Sequence, residues 1–207
     1  MTQCTAEVFL KDVARHAMNV QLDSGLHRHL RFQELQNWNH WFELVTWPGN
    51  LCIRGDMGTW VFSRVDDMFK FFRNNGELKI NPSYWSEKIE NGVSGGSTES
   101  KEFSPDVFRE EVMGSLDGWD LSPEDLKEVT EALEDEVFTD EDGSYGQSEH
   151  YRKLYEFDHK GVQFDCEIPQ GLQYRFHFLW CLYAIVWGIQ QYDALRAASS
   201  EQGDSDE

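Results

Sequence analysis

A chain of 207 residues that is 40% hydrophobic and 14% aromatic can bury a sizeable core without disulfides or a structural metal, which excludes a wholly disordered acidic protein. Its 38 acidic against 18 basic side chains give a formal net charge of −20, which argues against nucleic acid or an anionic membrane as a direct partner and favours basic protein surfaces. The charge is unevenly placed: residues 1–98 hold eleven acids and ten bases, residues 99–167 hold 22 acids and six bases, and residues 168–207 hold five acids and two bases.

In chain order, Ala6, Phe9, Leu10, Val13 and Ala17 fall at helical spacing and predict a first helix from Ala6 to about Ala17 behind a Thr5 cap. Leu26, Leu30 and Phe32 then alternate with His27, His29 and Arg31, the period of a half-buried strand. Trp41 to Trp47 predicts a second strand. Pro48, Gly49 and Asn50 turn it into Leu51 to Arg54, and Gly55 to Gly58 turn that into Thr59 to Phe62. Residues 26–62 therefore read as an antiparallel meander of about four strands, with 161–168 a candidate extension.

Ser63 is the expected cap of a helix that sets Val65, Met68, Phe69 and Phe72 against the sheet. Asn81-Pro82, Ser104-Pro105 and Ser122-Pro123 each place a capping side chain before a proline, whose missing N–H costs nothing at the first helical position. Asn91 to Ser100, rich in Gly and Ser, reads as a flexible loop or subdomain boundary, and Asp140 to Ser148 as a second polar break. The closing helix, from about Leu172 to Ala198, is apolar almost all round between Phe176 and Ile189. It is expected at the centre of the core, and its His177, Gly188, Gln190 and Gln191 leave it short of a membrane span. The expected class is α+β. Its parts are a sheet-plus-helix half (1–90), an acidic helical region (101–160), a strand and buried helix completing the core (161–198), and a disordered acidic tail (199–207).

Cys4, Cys52, Cys166 and Cys181 form no CxxC pair, and the N-terminal residues hold no apolar run of secretory length, so reduced thiols in a cytoplasm are expected. The strings LVTWPGNLCIRGDMGTWVFSR (Leu44 to Arg64), DMFKFFR (Asp67 to Arg73), INPSYW (Ile80 to Trp85) and FLWCLYAIVWGIQQYDAL (Phe178 to Leu195) resemble a family of uncharacterised accessory proteins of tailed phages and prophages. The resemblance implies the cytoplasm of a bacterial host and a small phage gene product of the kind that disarms host systems. It carries over no catalytic residue.

Two rows of acids stand out. From Ser122 onward, Leu126, Val129, Leu133 and Val137 define an apolar side, and Glu124, Glu128, Glu131 and Asp135 fall opposite at spacings of four, three and four. The row is roughly 16 Å long at ~1.5 Å per residue, about one charge per 4 to 5 Å against one per ~3.4 Å along a DNA strand. Asp106, Glu110 and Asp117 make a second row opposite Phe108, Val112 and Leu116. Two such rows can imitate a phosphate backbone, and ordinary solvated faces account for them as well.

His27, His29, His40 and Cys52 lack the spacing of a zinc motif, and no metal or cofactor is expected. Asp56 near His40 and Cys52 carries no signature of a nucleophilic site, and Arg54-Gly55-Asp56 reads as a turn. Trp38, Trp41, Trp47 and Trp60 are expected in the sheet core rather than on a base-stacking platform. Three readings follow. The first is a non-enzymatic acidic protein whose carboxylate rows occupy the basic surface of a host DNA-binding or RNA-guided defence complex, such as a CRISPR effector or restriction enzyme, with no direct contact to nucleic acid or membrane. The second is an enzyme or accessory factor of phage DNA metabolism with its site in the Trp- and His-rich sheet half. The third is a purely structural interaction protein.

Overall fold

A computed structural model describes residues 3–35, 37–73, 76–90, 99–140, 145–165 and 168–203, with backbone alone at 37–39 and 201–203. The first elements are α1 (Ala6–Asp12), β1 (His16–Ser24), β2 (His27–Glu34), β3 (Asn37–Trp47), β4 (Asn50–Gly55), β5 (Gly58–Ser63), α2 (Met68–Phe72) and α3 (Pro82–Ser86). After them come β6 (Lys101–Phe103), α4 (Pro105–Ser115), α5 (Pro123–Leu133), α6 (Gln147–Glu156), β7 (Asp158–His159), β8 (Val162–Gln163), β9 (Leu172–Tyr174) and α7 (Phe176–Gly203). The protein is α+β. Its contacts divide it into a sheet unit, Met1–Ser100 with Tyr174–Glu207, and an acidic unit, Lys101–Gln173.

The sheet unit is built on five antiparallel strands in the order β1-β2-β3-β4-β5. The predicted meander over 26–62 is present, and one strand precedes it. Thr5 caps α1 by accepting from the Val8 N–H, but the helix stops at Asp12, and residues expected to extend it to Ala17 turn instead into β1. The reason is tertiary: β1 pairs with β2 from His16↔Glu34 to Ser24↔His27, and Met18 and Val20 pack on the core, which outweighs a weak local helical pattern. The far edge of β5 is covered where Ser63 N–H donates to Lys88 O and Glu90 N–H to Val61 O.

One face of the sheet receives α7. Phe32, Phe42, Leu44, Ile53 and Phe62 meet Phe178, Leu182, Ile185, Val186 and Ile189, all buried, and Phe32 stacks on Phe42 with centroids 4.5 Å apart. Trp180 is 4% exposed, in keeping with the helix as core. No helix among the described residues is long and apolar enough to cross a membrane. Gly188 sets the helix-to-sheet distance, since a Cβ there would lie 2.7 Å from Leu44 Cδ1 and 3.1 Å from Phe32 Cζ. Gly55 is tighter: a Cβ would meet the Trp41 carbonyl oxygen and come within 2.8 Å of Phe42 Cα, both backbone. Side-chain tips can shift and a central strand cannot. Gly55→Ala is therefore expected to cost about 3 kcal/mol, the upper end of overpacking, and Gly188→Ala clearly less. Urea unfolding of the two variants checks the order.

The cap of α2 is Asp67, whose Oδ1 accepts from Phe69 N–H at 3.1 Å, and not Ser63, which donates to Gly49 O at 3.1 Å. Met68, Phe69 and Phe72 are buried as expected, while Val65 stands outside the helix and exposed. The three Asx/Ser-Pro starts all hold: Asn81, Ser104 and Ser122 cap α3, α4 and α5, each with proline in the first turn.

The acidic unit packs α4, α5 and α6 around Phe108, Val112, Leu116, Val129, Leu133, Val137, Leu154 and Phe157, with Val162 and Phe164 closing the core. The candidate strand at 161–168 does not extend the five-stranded sheet. Only Val162–Gln163 is extended, and it pairs back on Asp158–His159 through a two-residue turn at Lys160 (φ 53) and Gly161 (φ 80). Two positive-φ residues make a turn too tight for the segment to leave its own neighbourhood, and Val162 and Phe164 are consumed by this unit's core. Residues 161–173 accordingly fall with the acidic unit, and the chain rejoins the sheet unit at Tyr174. Leu172–Tyr174 is strand rather than helix, pairing with β6, and α7 begins at Phe176. It runs to Gly203, so residues 199–203 of the expected disordered tail are helical. The expected loop at Asn91 to Ser100 and the break at Asp140 to Ser148 fall partly outside the described residues, at 91–98 and 141–144.

Candidate functional site

The acidic face is carried by α4, α5 and the turns that follow them. Ser122 Oγ accepts from Asp125 N–H at 3.1 Å and starts α5. Val129, Leu133 and Val137 are fully buried, and a π-turn over Glu134–Phe138 follows the helix. A strict i, i+4 row drifts around an α-helix, and the wider π-turn keeps Val137 on the packed side. Leu126, expected in that stripe, is 40% exposed because the first turn of α5 stands clear of the core.

Of the seven carboxylates read from the sequence, Asp106 and Glu110 on α4, Asp117 in the 3-10 turn Leu116–Gly118, Glu124 on α5 and Asp135 in the π-turn are exposed, and no ion pair engages them among the described residues. The other two are engaged. Glu128 lies 2.9 Å from Lys160 Nζ, which also reaches Asp125 at 3.1 Å, and Glu131 lies 3.7 Å from Lys127. Hydrogen bonds that it donates to Glu128 and Asp125 push the Lys160 ammonium above its ordinary pKa, while Ser122 and Lys160 hold Asp125 low. Arg109 of α4 binds Glu134 of the π-turn and is raised by that hydrogen bond. The α5 row is thus interrupted at Glu128 by a lysine in a left-handed turn position that non-glycine residues seldom occupy.

In the sheet unit the histidines do not converge with Cys52. His29 Nε2 lies 3.4 Å from Glu43 Oε2, His27 is exposed at the β1–β2 turn, and burial pushes the Cys52 thiol up, which keeps it protonated. Among the described residues no group of three His, Cys, Asp or Glu side chains is spaced to hold a metal. Trp60 is core as expected. Trp47 is exposed, Trp41 is half-buried on the outer sheet face beneath Arg31 and Arg54 at 4.5 and 5.4 Å, and the Trp38 side chain lies outside the described residues.

His40 and Asp56 do share a site, though not with Cys52. They line a cavity of about 500 Å³ with Trp41, Met57 and six residues that the sequence pattern did not assign to a site: Lys11, Asp12, Arg15, His16, Glu34 and Trp180. One signal for it was legible. Glu34 continues the inward parity of Leu30 and Phe32, so a carboxylate stands where the strand pattern calls for an apolar side chain. No protein-family model, curated protein or solved structure matches this chain.

Proposed function

We propose that this protein is a phage-encoded acidic binding protein that inhibits a host nucleic-acid-acting defence complex, a CRISPR effector or restriction enzyme, by presenting DNA-like charge to its basic channel. The phage setting and the host cytoplasm rest on the resemblance of the four strings quoted above. The observation supporting the mode of action is the charge of the acidic unit. It carries 21 acids against six bases, a net of −15 out of −20, with five of the seven row carboxylates exposed and outside any ion pair among the described residues. Such a surface steers toward basic clefts and loses its hold as salt rises.

The test reverses Asp106, Glu110, Asp117, Glu124 and Asp135 to lysine. Glu128 and Glu131 are left alone, because a lysine at 128 would face Lys160 and disturb the fold. The expected result is a host complex that the parent retains at low salt, that releases it at high salt, and that duplex DNA competes for. The variant should bind about a hundredfold weaker or worse. Reversing five exposed acids of the sheet unit, Glu7, Asp66, Glu77, Glu87 and Glu90, should do much less. If the acidic-unit variant binds and inhibits like the parent, the rows are only a solvated surface. The cavity in the sheet unit favours the second reading, an enzyme or accessory factor of phage DNA metabolism, which that outcome would promote.

A further inference from the structure

The cavity in the sheet unit has a buried floor and a charged rim. Its floor is Glu34, only 9% exposed, with His16 directly opposite it across the β1–β2 pair, Trp180 and Met57 as apolar walls, and Trp41 contributing its backbone N–H. Its rim is Lys11, Asp12, Arg15, His40 and Asp56. The rim carboxylates each have one oxygen engaged, Asp12 Oδ2 by Trp180 Nε1 at 3.1 Å and Asp56 Oδ2 by the Trp41 N–H at 2.8 Å. At about 500 Å³ the space is of the size that small-molecule sites occupy.

Two atoms on the floor are open to a ligand, one carboxylate oxygen that no close ion pair engages and one buried ring nitrogen. Glu34 Oε1 has Arg15 Nη2 at 2.9 Å, but its Oε2 has only His40 Nδ1 at 4.0 Å among the described residues, beyond hydrogen-bond reach. His16 Nδ1 is buried without a hydrogen-bond partner. Burial holds His16 below its ordinary pKa, and His40 adds to this while Glu34, Asp56 and Asp12 oppose it, so the ring is neutral and has a lone pair to offer. A buried ring nitrogen left unmet, as His16 Nδ1 is, is costly. Arg15, moreover, is 79% exposed and holds Glu34 from the solvent side. The lining sums to three carboxylates against two side chains of Lys and Arg, a net of −1 before the histidines are counted.

We propose that this cavity is a binding site for a small organic cation with several N–H donors, a primary ammonium or guanidinium, whose head group bridges Glu34 Oε2 and His16 Nδ1 and whose apolar stem lies along Trp180 and Met57. A cationic head group with several N–H donors meets the carboxylate and the imidazole lone pair together and offsets the carboxylate's charge, which a carboxylate ligand, having no donor, cannot do. Arg15 acts as an internal competitor, a guanidinium of the chain itself beside the same carboxylate.

Isothermal titration of the full chain with n-butylamine and agmatine, and with n-butanol and butyrate as uncharged and anionic controls, tests this. Saturable one-to-one binding in the millimolar range or tighter is expected for the two cations and none for the controls. Glu34→Gln, which keeps the shape and changes the net charge by one, should abolish it. Arg15→Ala should tighten it about tenfold by removing the competitor. Binding should also fade as pH drops through the depressed His16 titration, read from the His16 imidazole NMR signals. Equal binding to the parent and Glu34→Gln would mean diffuse attraction to the acidic surface and overturn the proposal. So would weaker binding to Arg15→Ala, preference for butyrate, or no saturable binding of either cation. Should Glu34→Gln unfold, seen as lost near-ultraviolet circular dichroism, the Arg15→Ala result decides.

Discussion

Replacing Phe108 by alanine is expected to unfold the acidic unit while the five-stranded sheet keeps its structure. Phe108 is fully buried and touches the rings of Phe103, Phe138, His150 and Tyr151, with centroids 5.6 to 6.2 Å away. Truncating such a side chain costs about 3–5 kcal/mol. Lys101–Gln173 has a core of only ten buried apolar residues, and at ~0.05–0.15 kcal/mol per residue its whole stability is about 4–11 kcal/mol. The loss therefore consumes much or all of it. Seven of the eight tryptophans belong to the sheet unit and only Trp119 to the acidic one, which gives a clean readout. In a Trp119→Phe background, Phe108→Ala should lose helical far-ultraviolet signal and become open to protease between residues 99 and 173. The indole near-ultraviolet signal should persist. Collapse of both signals in a single transition would show that the two units do not fold separately. Charge adds to the fragility, because a net of −15 in the unit repels itself more as salt is lowered, so the variant should be rescued in part by salt.

The parts of the fold that were legible in the sequence are those set by local chemistry. The three proline-preceding caps, the turns at Pro48-Gly49 and Gly55 to Gly58, and the apolar run of α7 depend on a few adjacent residues, and each is where the sequence puts it. Strand β1 was not legible. His16 to Ser24 has no clean period, and its identity comes from a partner strand it meets across a two-residue turn. The hairpin at 158–163 failed for a related reason. A Lys-Gly pair at positive φ is an unusual turn signal, and it is held by ion pairs from Lys160 to Asp125 and Glu128, more than thirty residues earlier in the chain.

The candidate sites divide in the same way. Helical spacing was enough to find the acidic rows and to place Asp106, Glu110, Glu124 and Asp135 on exposed surface, but it had no means of seeing Lys160 arrive to neutralise Glu128. The cavity is assembled from the end of α1, the start of β1 and the residue before it, the end of β2, His40 and Trp41 of β3, the β4–β5 turn, and α7. Of its ten lining residues only the inward Glu34 broke a sequence rule. His16 had been assigned to the expected first helix, so the imidazole facing Glu34 lay out of reach until β1 was known.

Arg28→Met is expected to destabilise the sheet unit by about 3 kcal/mol at neutral pH, the low end for breaking a buried ion pair, because one partner retains some solvent contact. The Arg28 side chain is 11% exposed. Its Nη1 lies 2.9 Å from Asp67 Oδ1, and its guanidinium sits 4.7 Å from the Phe69 ring centroid and 5.8 Å from that of Tyr192. It therefore ties β2 to the start of α2 and to α7, and the carboxylate it holds is also the cap of α2. Desolvation pushes Asp67 up, but the Arg28 hydrogen bond and charge outweigh it and leave the carboxyl below its ordinary 3.8. A depressed carboxyl contributes stability that is present above its unfolded value and is lost as pH falls through the folded one. In Arg28→Met desolvation, the cap and the charge of Arg73 remain, and Asp67 should titrate higher in the folded state than in the parent. The penalty of the substitution should then be greatest at pH 7 and shrink as pH falls, first through the higher titration of Asp67 in the variant and then through its depressed titration in the parent. Urea unfolding at pH 7 and pH 3 measures the difference. A penalty that is the same at both would assign the loss to Arg28's packing on Phe69 and Tyr192, and Asp67→Asn in the Arg28→Met background would then recover nothing, whereas the ion-pair account expects it to recover a good part.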